Sequence, residues 1–92
     1  MSNSVRDNTE RHRFELDADG QVAFSNYTRA GGVITFMHTE VPAELNGRGI
    51  GSALVRGALD LARAQGLKVK AQCPFVKAYL DKHPEYSDLR AA

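Results

Sequence analysis

Three glycines alternate with Asn46, Arg48, Ile50 and Ser52 in the stretch NGRGIGS, residues 46–52, where an extended run gives way to a helical one. Two readings fit these letters. Glycine has no Cβ, so an anion can come close to the backbone. The first N–H groups of the following helix lack helical partners and carry the positive end of its dipole. Arg48 would add a charge at the rim and Ser52 a hydroxyl donor. The same letters also suit a turn that only needs flexible residues. Further on stands Cys73, the chain's single cysteine. As a thiolate it is a nucleophile once its pKa is depressed; as a thiol it is a small buried apolar residue. His38 can accept a proton near neutral pH and is the nearest group to act on Cys73. Alternation along 33–41 puts Glu40 on the face of His38, where it can orient the imidazole, serve as the base or stand solvated. Thr39 and Val41 face the other way. His83 and Tyr86 border the same region, and Tyr79 suits either that region or the core. Cys73, His38 and His83 have no metal-ligand spacing, so no metal is expected.

These residues need elements to hold them. RFELD (13–17) alternates as a half-buried strand, and ADG (18–20) is turn chemistry. QVAFSNYTR (21–29) suits a second strand with Val22, Phe24 and Tyr27 inward, and its alternation slips after Phe24 in the manner of a bulge. AGG (30–32) turns the chain into VITFMHTEV (33–41), a third strand that Pro42 ends. Three strands on short turns make an antiparallel meander. In RGIGSALVRGALDLARAQG, Ile50, Leu54, Ala58 and Leu61 recur at helical spacing, and Val55, Leu59 and Ala62 widen the stripe. Arg56 and Asp60 are placed to pair four apart, and Gly66 suits the residue after the helix. LKVKAQ (67–72) is a fourth strand, parallel to the third because a helix joins them. FVKAYLDKH is a second helix with Phe75, Val76, Tyr79 and Leu80 on one side. The order β-β-β-α-β-α is a mixed sheet of the α/β (α+β) class.

The 92 residues suit one domain, read as 11–92 behind a frayed polar tail at 1–10. The net charge of +1 argues against bulk nucleic-acid binding. The lone cysteine points to a reducing, cytoplasmic setting. No apolar run approaches the roughly 20 residues of a membrane helix, and the N-terminus lacks a signal peptide's apolar core. Lys68, Lys70 and Lys77 read as a solvated face.

Two phosphate motifs fail. A P-loop needs a lysine before the hydroxyl residue, but Gly51 runs straight into Ser52. A dinucleotide fingerprint needs Gly or Ala at 52 or 54, where Ser52 and Leu54 stand, and an acidic residue after a strand that ends at Gln72-Cys73. The stretch NGRGIGSALVRGALDLARAQG instead resembles the acetyl-CoA motif of the GNAT acyltransferase superfamily, Gln/Arg-x-x-Gly-x-Gly/Ala, with Gly49 and Gly51 in the small-residue places and Asn46 out of pattern. With HTEV (38–41) and CPFVKAYLDKHPEY (73–86), residues 13–90 are similar to a small stand-alone branch of predicted acetyltransferases. The resemblance implies acetyl-CoA as cosubstrate, with its pyrophosphate on the amides of Arg48, Gly49, Ile50, Gly51 and Ser52. It puts the pantetheine arm beside Val41 and the thioester between splayed strands 33–41 and 67–72. It implies transfer to an unidentified amine, with Tyr79 protonating the CoA thiolate, and either direct attack aided by His38 or Glu40 or passage through acetyl-Cys73. One or two of the lysines could meet the 3′-phosphate of CoA. Fuller GNAT domains carry helices after the first strand and a final hairpin, which this chain lacks. A homodimer could supply that wall, and a non-catalytic CoA-binding or interaction module is the rival reading.

Overall fold

The computed structural model describes residues 5–45 and 47–91 and forms one five-stranded sheet in the order β1-β2-β3-β4-β5. Here β1 is Arg6–Asn8, β2 Arg13–Ala18, β3 Gln21–Ala30, β4 Val33–Glu40 and β5 Lys68–Ala71. The first four pair antiparallel, and β5 joins β4 in parallel. Helix α1 (Ile50–Ala64) makes the crossover between β4 and β5, and α2 (Pro74–Lys82) follows β5. This is the mixed sheet expected from the pattern, with one strand more. Among the described residues no helix is long and apolar enough to cross a membrane.

The extra strand corrects the tail assigned to residues 1–10. Arg6, Asp7 and Asn8 pair with Glu15, Phe14 and Arg13. Their polar letters hide a strand that side chains anchor: the Tyr27 hydroxyl donates to Asp7 at 2.5 Å, and Arg6 bridges Glu15 and Asp17, each at 2.7 Å. Val5 sits so close to α1 that a Cβ on Gly57 would fall 2.3 Å from its Cγ2. Residues 1–4 lie outside the described residues.

The inner face of the sheet buries Phe14, Leu16, Ala23, Ser25, Tyr27, Ile34 and Phe36. Against it α1 lays Leu54, Val55, Ala58, Leu59 and Ala62, the stripe expected from its periodicity. The helix ends in a Schellman motif: Gly66 has φ 72°, its N–H meets the Arg63 carbonyl, and the Leu67 N–H reaches Ala62. Val22 and Phe24 were expected inward, and this is reversed. Leu16 pairs with Ala23 and Phe14 with Ser25, so the small residues of β3 face the core and leave room for α1. Val22 and Phe24 lie half-buried on the outer face. Asp60 accepts the Tyr86 hydroxyl at 2.8 Å rather than pairing with Arg56 as the spacing suggested. Burial and that carboxylate push the Tyr86 hydroxyl up to about 12.

One irregularity decides the site. Asn26 pairs with His38 but Tyr27 with Phe36, so Met37 is an extra residue in β4. The slip expected after Phe24 is not there: Ala23, Ser25 and Tyr27 alternate inward through β3, and the extra residue stands in β4. Side chains beyond it change face: Ile34 and Phe36 are inward before it, Thr39 after it.

Candidate functional site

Pairing between β4 and β5 ends at Phe36 and Ala71. The Phe36 carbonyl takes the N–H groups of both Gln72 and Cys73, at 2.9 and 3.0 Å, and β4 then continues beside β3 alone. Cys73 caps α2 at the mouth of this parting and is 3% exposed. Its thiol donates to Thr39 Oγ1 at 3.3 Å, and Thr39 shares a hydrogen bond of 2.9 Å with the fully buried Ser25.

His38 is not beside Cys73. It pairs with Asn26 on the outer face, its ring 6.4 Å from that of Phe24, and its Nε2 lies 3.2 Å from Glu40. His38 and Glu40 thus form the same-face pair read from their spacing, and both are exposed. The expectation that His38 acts on Cys73 is corrected by the bulge, which puts a hydroxyl there instead. Thr39 was legible as facing away from His38. Its contact with Cys73 was not, because register between separate strands is no local property.

The glycine loop is built by backbone demands of two kinds. Gly47 and Gly49 have φ of 81° and 72°, with no positive φ at Arg48 between them. Alternation of this kind turns successive N–H groups toward one side. Gly49 caps α1 without any side-chain bond, and the first turn holds no acidic residue. The amides of Ile50, Gly51 and Ser52 thus have no capping side chain at a positive helix end. Gly51 is helical and differs: a Cβ there would lie 2.7 Å from the tip of the Phe75 ring. Ser52 is exposed, and the Arg48 guanidinium pairs with Asp19 of the β2–β3 turn. Asn46 lies outside the described residues. A cavity of about 220 Å³ opens here, lined by Val41, Gly49, Ile50, Gly51, Ser52 and Phe75 among others.

A second cavity of about 200 Å³ adjoins it through Ser52 and Phe75, and takes in Tyr79 and His83. The two rings stack with centroids 3.8 Å apart. His83 Nδ1 lies 2.8 Å from the Tyr79 carbonyl, which can only accept, so Nδ1 carries a proton. Burial raises the pKa of the Tyr79 hydroxyl, with Arg56 opposing. Phe75, grouped with Val76, Tyr79 and Leu80 on one side of α2, is 43% exposed while those three are buried.

A larger concavity, about 660 Å³, is elsewhere. It lies at the far end of the sheet, between the β1–β2 turn (Thr9, His12) and the β3–β4 turn (Arg29 to Gly32), and touches none of the candidate residues. Size alone favours it; the uncapped amides favour the smaller cavities. Among the described residues no three His, Cys, Asp or Glu side chains gather as metal ligands.

The family model for GCN5-related N-acetyl-transferase matches residues 13–89, and the chain belongs to that family. It is similar to Protein NATD1 of Homo sapiens and of Mus musculus, 35% identical over 52 residues in each case. That alignment takes in 56% of this chain and 46–47% of the relatives, so the chain spans about half the length of the curated relatives it matches. An NMR structure of a GCN5-like protein from Staphylococcus aureus superposes with a TM-score of 0.73 at 30% identity, covering 100% of this chain and 92% of that one.

Proposed function

We propose that this domain binds acetyl-CoA in the paired cavities and transfers the acetyl group to an amine. The observation that carries the reading is the loop cavity, where uncapped α1 amides stand beside Val41. Arg48, Gly49, Ile50, Gly51 and Ser52 would hold the pyrophosphate, and Val41 would flank the pantetheine arm. The amine nitrogen would attack the thioester carbonyl, forming the N–C bond as the C–S bond breaks. His38 or Glu40 would take the amine's proton from the outer face. Tyr79, a phenol protonated at neutral pH whose proton burial holds more firmly, would give that proton to the departing thiolate. The acetyl-Cys73 route has less support, because no histidine stands at the thiol and Cys73 is 3% exposed. A free, buried cysteine suits a reducing, cytoplasmic setting.

The separation of His38 from Cys73 also favours the second reading, a CoA-binding module without catalysis. Calorimetry with CoA, ATP and NAD tests the shared premise: strong heat is expected with CoA and weaker, measurable heat with the others, which share its pyrophosphate but lack its arm, and no heat with CoA removes it. CoA release in a thiol assay over an amine panel then separates the readings. Turnover lost in His38→Ala or Glu40→Gln with binding intact supports the enzyme; binding without turnover across the panel supports the module.

A further inference from the structure

Gly51 invites explanation as a place where phosphate meets bare backbone, yet its missing Cβ is filled from within the chain. The Phe75 ring points its tip at Gly51, within 2.7 Å of where a Cβ would stand, and two further ring atoms lie at 3.3 and 3.4 Å. Unlike Gly47 and Gly49, Gly51 has no positive φ that would call for glycine. Close approach of Phe75 is therefore the local reason for it.

Phe75 is also one of two large apolar side chains left exposed among the described residues, at 43%. It lines both cavities, the one at the loop and the one at Tyr79 and His83, and with Ser52 it is what they share. Its neighbours on α2, Val76 and Leu80, are buried. The ring thus stands where the two cavities meet. Cys73, Val76 and Leu80, and not Phe75, bury this end of α2 in the core.

We propose that Phe75 is the residue that positions the ligand's chain: its ring turns off Gly51 when the cavities fill and packs along the apolar arm that joins the thioester to the phosphates. This rests on the CoA reading above. It assigns the arm, and not the phosphates, to Phe75, because the ring offers an apolar face and no donor.

Calorimetry on the whole chain tests this with CoA and with ADP, which shares the pyrophosphate but lacks the arm. Phe75→Ala should weaken CoA binding about tenfold, the loss of one good apolar contact, and leave ADP binding unchanged. Phe75→Leu should recover most of the CoA affinity. Phe75→Ala with CoA affinity unchanged or improved overturns the proposal while leaving the CoA reading intact. An equal loss for CoA and ADP also overturns it, by making Phe75 a support of the loop. No binding of CoA by the unsubstituted chain removes the CoA reading and the proposal with it. Amide spectra of each variant establish that it is folded.

Discussion

The two faces of the sheet near the end of β4 hold different chemistry. The inner face presents neutral groups in series, the buried Ser25, the half-buried Thr39 and the buried Cys73, near the glycine loop. The outer face presents charges. Glu15, 3% exposed, is held by Arg13 Nε at 2.6 Å and Arg6 at 2.7 Å, with Asn8 at 3.1 Å. The Arg13 guanidinium lies over the Phe24 ring at 4.4 Å, and Phe24 meets His38, which meets Glu40. A chain of polar and aromatic contacts therefore crosses the outer face from β1 to β4. Met37, the extra residue in β4, is what separates the two sets. Without it, strict alternation would carry His38 onto the face of Ile34 and Phe36. One residue of bulge decides whether the histidine or the threonine meets the thiol.

The contrast between faces can be broken at its strongest point first. Phe36→Ala, at a fully buried ring, should cost about 3–5 kcal/mol in urea unfolding. Phe24→Ala, on the outer face, should cost about 1 kcal/mol through lost packing and its contact with Arg13. Similar losses for the two would contradict the assignment of faces.

Gly57→Ala asks how far the inner face extends. Its Cβ would collide with Val5, so a loss of about 1–3 kcal/mol is expected, with faster amide exchange at β1. A neutral result would mean that Val5 is not docked on α1.

Glu15 sharpens the outer face. Burial pushes its carboxyl up, but bonds from Arg13 and Asn8 and the charges of Arg13 and Arg6 more than offset this, so its pKa is lowered below the ordinary 4.5. The unfolded chain then binds the proton more readily. The stabilisation is fully present above pH 4.5 and is lost as pH falls through the folded value. Glu15→Gln should lose about 1–2 kcal/mol at neutral pH, and the gap from the unsubstituted protein should narrow on acidification. A gap constant with pH would show that the carboxylate's charge plays no part.

The smallest effect separates adjacent residues. Thr39→Val, which strands Ser25 and the thiol, should cost about 1 kcal/mol and change the rate at which Cys73 is alkylated. His38→Ala, at an exposed site, should stay within about 0.5 kcal/mol and leave that rate alone. The reverse pattern would put His38 at the thiol after all.

Much of this was legible in the sequence where structure is local. Periodicity gave α1 and its stripe, glycine and proline gave the turns, and the helix between two strands gave the parallel pair. Alternation also paired His38 with Glu40 and turned Thr39 away from them. What it missed depends on partners distant in the chain. Strand β1 has only polar letters and is held by Tyr27 and Glu15. Phe24 looks like a core residue until β2 and α1 claim Ala23 and Ser25 instead. Gly51 reads as an anion contact through its amide, and nothing in the letters shows that the place of its missing Cβ is taken by Phe75, more than twenty residues on.

The central claim is that the glycine loop and the cavities beside it hold CoA. Amide chemical shifts followed while CoA is added to the isotopically labelled chain test it most directly. The account predicts saturable shifts at Val41, Ile50, Gly51, Ser52 and Phe75, with Phe24 and Glu15 on the outer face unmoved. Shifts confined to Thr9, His12 and the β3–β4 turn at the larger concavity, or none at all, would contradict it.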